Sequence, residues 1–258
     1  MFKKSKKQAT LVVIALILTV IFAAAIFYFS FETSSQSSAE GNVKFRALVA
    51  DSLMEDYPNP ELINYIVSVL EKAGFQVDVV TGPNVNLTLY SKLTEYSVII
   101  LRVHGGKAVY ETSWGEVRKI NGLFTGVLWE DKYSYLKRTW LATDAVPYGS
   151  NKTYLAVLPG FFLEKLSGKF SKDAVMIVAS CYSLYTYDVA DALARKGLKT
   201  FIGWEGPVTL NHMDNVVKEL IEKVFLENKS WEQAVIEVNK ELGPDPLHKE
   251  YLKIVIYK

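Results

Sequence analysis

The chain holds one cysteine, Cys181, and three histidines in 258 residues. A lone thiol excludes an internal disulfide, and one cysteine with scattered histidines makes no zinc set at any usual ligand spacing. Charge of one sign is also missing. The formal net charge is +1, and setting aside the four lysines of the first seven residues leaves 25 basic against 28 acidic residues, a formal −3. Nucleic acid is therefore not an expected partner, because phosphates require a dense basic face. His104-Gly105-Gly106 is too short for a phosphate loop and no Lys-Ser/Thr follows it. No carboxylate-rich loop calls for calcium, so neither metal nor cofactor is expected. No internal repeat is visible.

What is present begins with a long apolar run. Lys3, Lys4, Lys6 and Lys7 precede an uncharged stretch from Gln8 to Phe31. About 20 helical residues cross the ~30 Å hydrocarbon core of a bilayer. The stretch is thus expected to be a transmembrane anchor, and lysines on its amino side put the remainder outside the cytoplasm. A signal peptide removed on secretion is the alternative, although its apolar region is usually only about 7–15 residues. No cysteine follows the run to carry a thioether-linked lipid. The expected organisation is a basic stub and anchor over residues 1–31, a Ser-rich flexible linker over 32–42, and one α/β domain over 43–258. Outside the cell, an unpaired thiol is either buried and inert or kept for its reactivity.

From Phe45 the chain alternates strand and helix patterns, the signature of a parallel sheet covered by helices. Strands are expected over 45–50, 75–80, 97–103, 154–158, 174–180, 199–204 and 251–257. Helices are expected from Leu62 to Gly74, over 87–96, from Pro159 through Leu166, from Asp188 to Lys196, and around Val216–Val224 and Trp231–Val238. Asn211 reads as the cap of the Val216 helix, with Asp214 in its first turn. Residues 109–141, rich in aromatics and turn residues, read as β-hairpins or an excursion lying over the rim.

Two of the strands end on chemistry. Ser97-Val-Ile-Ile-Leu-Arg-Val103 runs into His104-Gly105-Gly106, and Ala174-Val-Met-Ile-Val-Ala-Ser180 runs into Cys181. Loops leaving the carboxyl ends of parallel strands carry ligands and catalysis, and parallel strands bring distant residues to one edge. A thiol becomes a nucleophile when an imidazole or a helix amino terminus favours its thiolate. A glycine beside the base lets backbone approach a substrate, and its amide with that of the cysteine can face a developing oxyanion. A cysteine at a strand end is by default a small core hydrophobe, but the joint occurrence with matching flanks favours a dyad of Cys181 and His104.

An apolar strand ending in His-Gly and a later one ending in a small residue and Cys, within an α/β core, resemble the caspase-like cysteine peptidases, which include gingipains, clostripain and legumain. The likeness covers about residues 44–208. The resemblance implies a caspase-like three-layer α/β sandwich with a mostly parallel sheet. It also implies Cys181 as nucleophile, His104 as general base and acid, and the amides of Gly105 and Cys181 as the oxyanion site. The Gln-Ala-Cys string of true caspases is absent; Ala179 and Ser180 precede Cys181. Trp204-Glu205-Gly206-Pro207 leaves the next strand where a substrate pocket is expected, with Glu205 as the carboxylate that would pair Arg or Lys of a substrate and Trp204 beside it. The expected function is that of a membrane-tethered extracytoplasmic cysteine endopeptidase acting on a protein or peptide. The alternative is a catalytically silent domain of the same kind that binds proteins or envelope components at the cell surface.

Overall fold

The computed structural model describes residues 45–111 and 115–258, which lie within one compact unit running from Lys44 to the carboxyl terminus. The expected anchor and linker lie outside the described residues. Among the described residues no helix is long and apolar enough to cross a membrane.

Short β-branched runs form the centre. β1 (Arg46–Asp51), β2 (Gln76–Thr81), β3 (Val98–Arg102), β8 (Val175–Ala179) and β9 (Thr200–Gly203) are parallel neighbours, and β10 (Lys253–Ile256) closes the β9 edge antiparallel. The order across the sheet is β10-β9-β8-β3-β1-β2. Every residue of β3 and β8 is buried, as expected of strands covered on both faces. Alternation divides them: Leu48, Ile99, Leu101, Met176 and Val178 enter one apolar cluster, while Val49, Val98, Ile100, Val175 and Ile177 enter another.

The second cluster is covered by α1 (Pro60–Lys72), α6 (Leu210–Phe225) and α7 (Trp231–Leu242). α1 shows how local sequence sets an element. The Asn59 side chain accepts the Leu62 N–H, Pro60 opens the first turn, and Leu62, Ile63, Ile66, Val69 and Leu70 form the buried stripe. Gly74, at φ +92°, ends it, with the Phe75 N–H donating to the Leu70 carbonyl and the Gly74 N–H to Glu71. On the other face lie the short helices α2 (Leu87–Tyr90), α4 (Pro159–Glu164) and α5 (Asp188–Ala194), with α3 (Ser134–Arg138) nearby.

The rim excursion is a second sheet, entirely antiparallel, in the order β4-β5-β7-β6. It comprises β4 (Gly105–Glu111), β5 (Val117–Leu128), β6 (Ala142–Ala145) and β7 (Tyr154–Val157). β7 is the strand expected over 154–158, and it joins this sheet rather than the parallel one. Leu123, Leu155, Val157 and Ala142 turn inward to the first cluster, whereas Phe124, Tyr154 and Ala156 gather on the other face.

Two expectations are corrected. The helix expected over 87–96 stops at Tyr90, where a turn and a 3-10 segment at Leu93–Glu95 follow. Thr209, not Asn211, is the cap residue of α6, and Asp214 lies one turn in, drawn to a buried arginine.

Candidate active site

The topology brings the two chemical strand ends together. β3 pairs directly with β8 in a register that ends at Arg102↔Ala179. His104 and Cys181 therefore each stand two residues beyond the last pair, at the carboxyl edge. This edge adjoins the point between β1 and β3 where the strand order reverses, the usual place for a ligand crevice in open α/β sheets.

Glycine makes the contact between the two ends. A Cβ on Gly105 would lie 2.0 Å from the Cys181 carbonyl oxygen and 2.7 Å from Ser180 Oγ, so only glycine fits where β4 leaves the sheet. The Phe124 N–H donates to the His104 carbonyl at 2.9 Å, which makes Gly105↔Leu123 the wide kind of antiparallel pair. The Gly105 N–H consequently points away from β5, as an oxyanion donor must.

Cys181 continues the inward alternation of Val175, Ile177 and Ala179, and its side chain packs against the second cluster. Its thiol is bonded to Val208, accepting that N–H at 3.4 Å and donating to that carbonyl at 3.5 Å. Burial pushes the thiol pKa up; the Val208 bond lowers it in part, and the nearby Asp245 carboxylate raises it again. The following residue, Tyr182, has φ +58°, an outlier for an aromatic residue of the kind that gathers at functional sites. Its strained backbone is held from both sides. Tyr182 N–H donates to Gly206 O, Leu184 N–H to Trp204 O, and the buried Asn121 Nδ2 to Ser183 O at 2.7 Å.

His104 is half-buried among rings. Tyr57, Phe124 and Tyr154 surround it with centroids 6.0, 5.9 and 6.2 Å away. Burial in this cage lowers its pKa; the Asp56 carboxylate opposes the shift and the Arg102 cation adds to it. Asp56 is fixed by the Tyr154 hydroxyl at 2.7 Å and Lys152 Nζ at 2.5 Å. Among the described residues the imidazole makes no hydrogen bond to the Cys181 thiol. A lowered imidazole and a raised thiol are both neutral near pH 7, and a neutral imidazole is the form that accepts a proton.

Below His104 lies a buried ion cluster that the sequence reading passed over. Arg102 Nε and Nη2 donate to the two carboxylate oxygens of Asp214, and Nη1 donates to Asp51 and to the Tyr57 carbonyl. Its signal was a single arginine inside an otherwise apolar strand. Glu205 stands on the loop after β9 and accepts the Tyr187 hydroxyl at 2.9 Å. Trp204 corrects the expectation of a pocket residue. It is fully buried in the second cluster, so it has no surface to offer a substrate, and its Nε1 has no hydrogen-bond partner among the described residues.

No family model matches the chain, and no curated protein matches it in sequence.

Proposed function

We propose that this chain is a cysteine endopeptidase of caspase-like kind, tethered to a membrane with its α/β domain outside the cytoplasm. The observation that carries the reading is the junction of the two strand ends, with the Gly105 backbone laid against the Cys181 carbonyl and its amide turned away from the β4–β5 ladder. In the proposed cycle the Cys181 thiol leaves Val208 and passes its proton to His104, and the thiolate attacks the peptide carbonyl. The oxygen that becomes negative is met by the amides of Gly105 and Cys181. His104 then returns the proton to the departing amine, and water, activated by the same imidazole, releases the acyl group from sulfur. Glu205 is the candidate for pairing a basic side chain of the substrate.

The bond between the thiol and the Val208 backbone favours a second reading, in which the domain binds protein or envelope components and does not turn over. The full-length chain incubated with a mixed peptide library separates the two. Cleavage that disappears with Cys181→Ala and with His104→Ala supports the peptidase. Absence of cleavage by the wild-type chain, or cleavage that persists in Cys181→Ala, overturns it.

A further inference from the structure

The second sheet encloses a cavity of about 420 Å³ on its outer face, within the ~300–1,000 Å³ range of small-molecule and side-chain sites. Its floor is made small by residue choice: Gly106 and Gly122 are paired across β4 and β5, with Ala108 and Ala156 beside them. Phe124 joins this cavity to the candidate active site. Its ring lies edge-on to His104 and also lines the cavity, and a Cβ on Gly106 would come within 2.9 Å of it.

Trp140 also lines the cavity, an indole 51 % exposed on a backbone with φ +58°. That conformation is locked from behind, since the Trp140 carbonyl occupies the place where Gly160 would carry a Cβ, 2.7 Å away. A strained, exposed aromatic at a cavity wall is the kind of outlier found at ligand clamps.

Two of the charged lining residues pair with each other. Lys137 Nζ and Asp144 Oδ1 pair at 2.5 Å, and the lysine holds the Asp144 carboxyl below its ordinary range. Lys107 is turned away over the Tyr182 and Tyr185 rings, 4.6 and 5.0 Å from their centroids. The rest of the cavity's described lining is uncharged. β4 is also an edge strand whose outward N–H and C=O groups begin at Gly105, so an extended chain paired to it would start beside Cys181.

We propose that this cavity is a specificity pocket that takes a large apolar or aromatic side chain of an extended peptide bound along β4, next to the Cys181–His104 pair. The pocket rests on the reading of the site as peptide-cleaving, but its occupancy is measured without cleavage. The test uses the full-length Cys181→Ala chain and the peptides Ac-Ala-Ala-Xaa-Ala-NH2, with Xaa as Leu, Phe, Asn or Asp, read by saturation-transfer NMR; Lys is left out because Glu205 could hold it independently of the cavity. Leu and Phe peptides are expected to receive saturation at Xaa, with Asn and Asp peptides at least tenfold weaker.

Ala108→Trp and Thr143→Phe, which fill the cavity from β4 and from β6, should reduce the Leu and Phe signals at least tenfold. Equal binding of all four peptides by the unfilled chain, or no binding at millimolar concentration, overturns the pocket. So does binding that both filling variants leave unchanged while folded by circular dichroism. If either variant fails to fold, the discrimination among the four peptides still decides. Cleavage of a library without this selectivity would remove the pocket and leave the peptidase standing; selective binding without cleavage would do the reverse.

Discussion

Arg102 grips Asp214 through two parallel hydrogen bonds, Nε to Oδ1 at 2.8 Å and Nη2 to Oδ2 at 2.9 Å, directly under the strand end that delivers His104. Both side chains are almost wholly withdrawn from water, as is Asp51 on the other side of the guanidinium. The cluster ties three elements: β1 through Asp51, α6 through Asp214, and the loop before α1 through the Tyr57 carbonyl. Removing the cation strands two buried carboxylates. Arg102→Met is therefore expected to cost about 3–5 kcal/mol in urea unfolding, the range for breaking a buried pair from one side. A loss under about 1 kcal/mol would show that the cluster does not hold this edge.

The Gly105 contact gives a sharper substitution. In Gly105→Ala the added methyl meets main chain, the Cys181 carbonyl, which no rotamer change can relieve. The strand ends must move apart, at a cost of about 1–3 kcal/mol typical of overpacking. In the proposed peptidase, a displacement of the order of 1 Å between nucleophile and oxyanion donor would lower turnover by roughly 100-fold. Peptide cleavage and urea midpoints measured on the same variant check both numbers, and an Ala variant with wild-type cleavage would remove Gly105 from the site.

The parallel core was readable because its strands are uninterrupted β-branched runs separated by capped helices: Val98–Leu101 and Val175–Ala179 could pack nowhere but between two layers. The adjacency of the two strand ends that carry His104 and Cys181 was readable for the same reason, since strand ends carry their register with them. The thiol's partner was not. Val208 bonds through its backbone, which carries no side-chain signature in sequence. Trp204 deceived by position, because the residue just after β9 still follows the strand's inward alternation and only Glu205 escapes it. Asp214 read as a helix-start charge because nothing local announced an arginine 112 residues away.

The imidazole supplies a pH dependence. Burial holds His104 below its ordinary value of 6.5, against the pull of Asp56, so the folded state binds its proton less readily than the unfolded state. The associated stability is complete above pH about 6.5 and is lost as pH falls through the lowered folded value. His212, also lowered by burial and opposed by Asp245, acts in the same direction. Between pH 7.5 and 5 the urea midpoint of wild type should fall further than that of His104→Gln, and equal falls would contradict a desolvated imidazole. In the proposed peptidase, the acid limb of kcat/KM should likewise lie below the ordinary histidine range, because a base that resists protonation stays available to lower pH.

Cys181 should be a slow thiol in the resting protein. Burial raises it, the Val208 bond offsets part of that, and the Asp245 charge raises it further, so little thiolate is present at neutral pH. Alkylation by iodoacetamide at pH 7.5 is expected to be slower than that of free cysteine and to climb as pH passes the ordinary thiol value of about 8.5. Asp245→Asn removes the opposing charge, and the midpoint of the rate against pH should move down. The carboxylate also binds Thr209 through its N–H and its hydroxyl at 2.8 and 2.6 Å, so the variant should lose about 1–3 kcal/mol of stability as well. The two effects are separable, because general loosening raises the rate at every pH without moving the midpoint. A midpoint unchanged in Asp245→Asn would mean that the Asp245 charge does not reach the sulfur, and that burial outweighs the Val208 bond on its own in keeping Cys181 protonated.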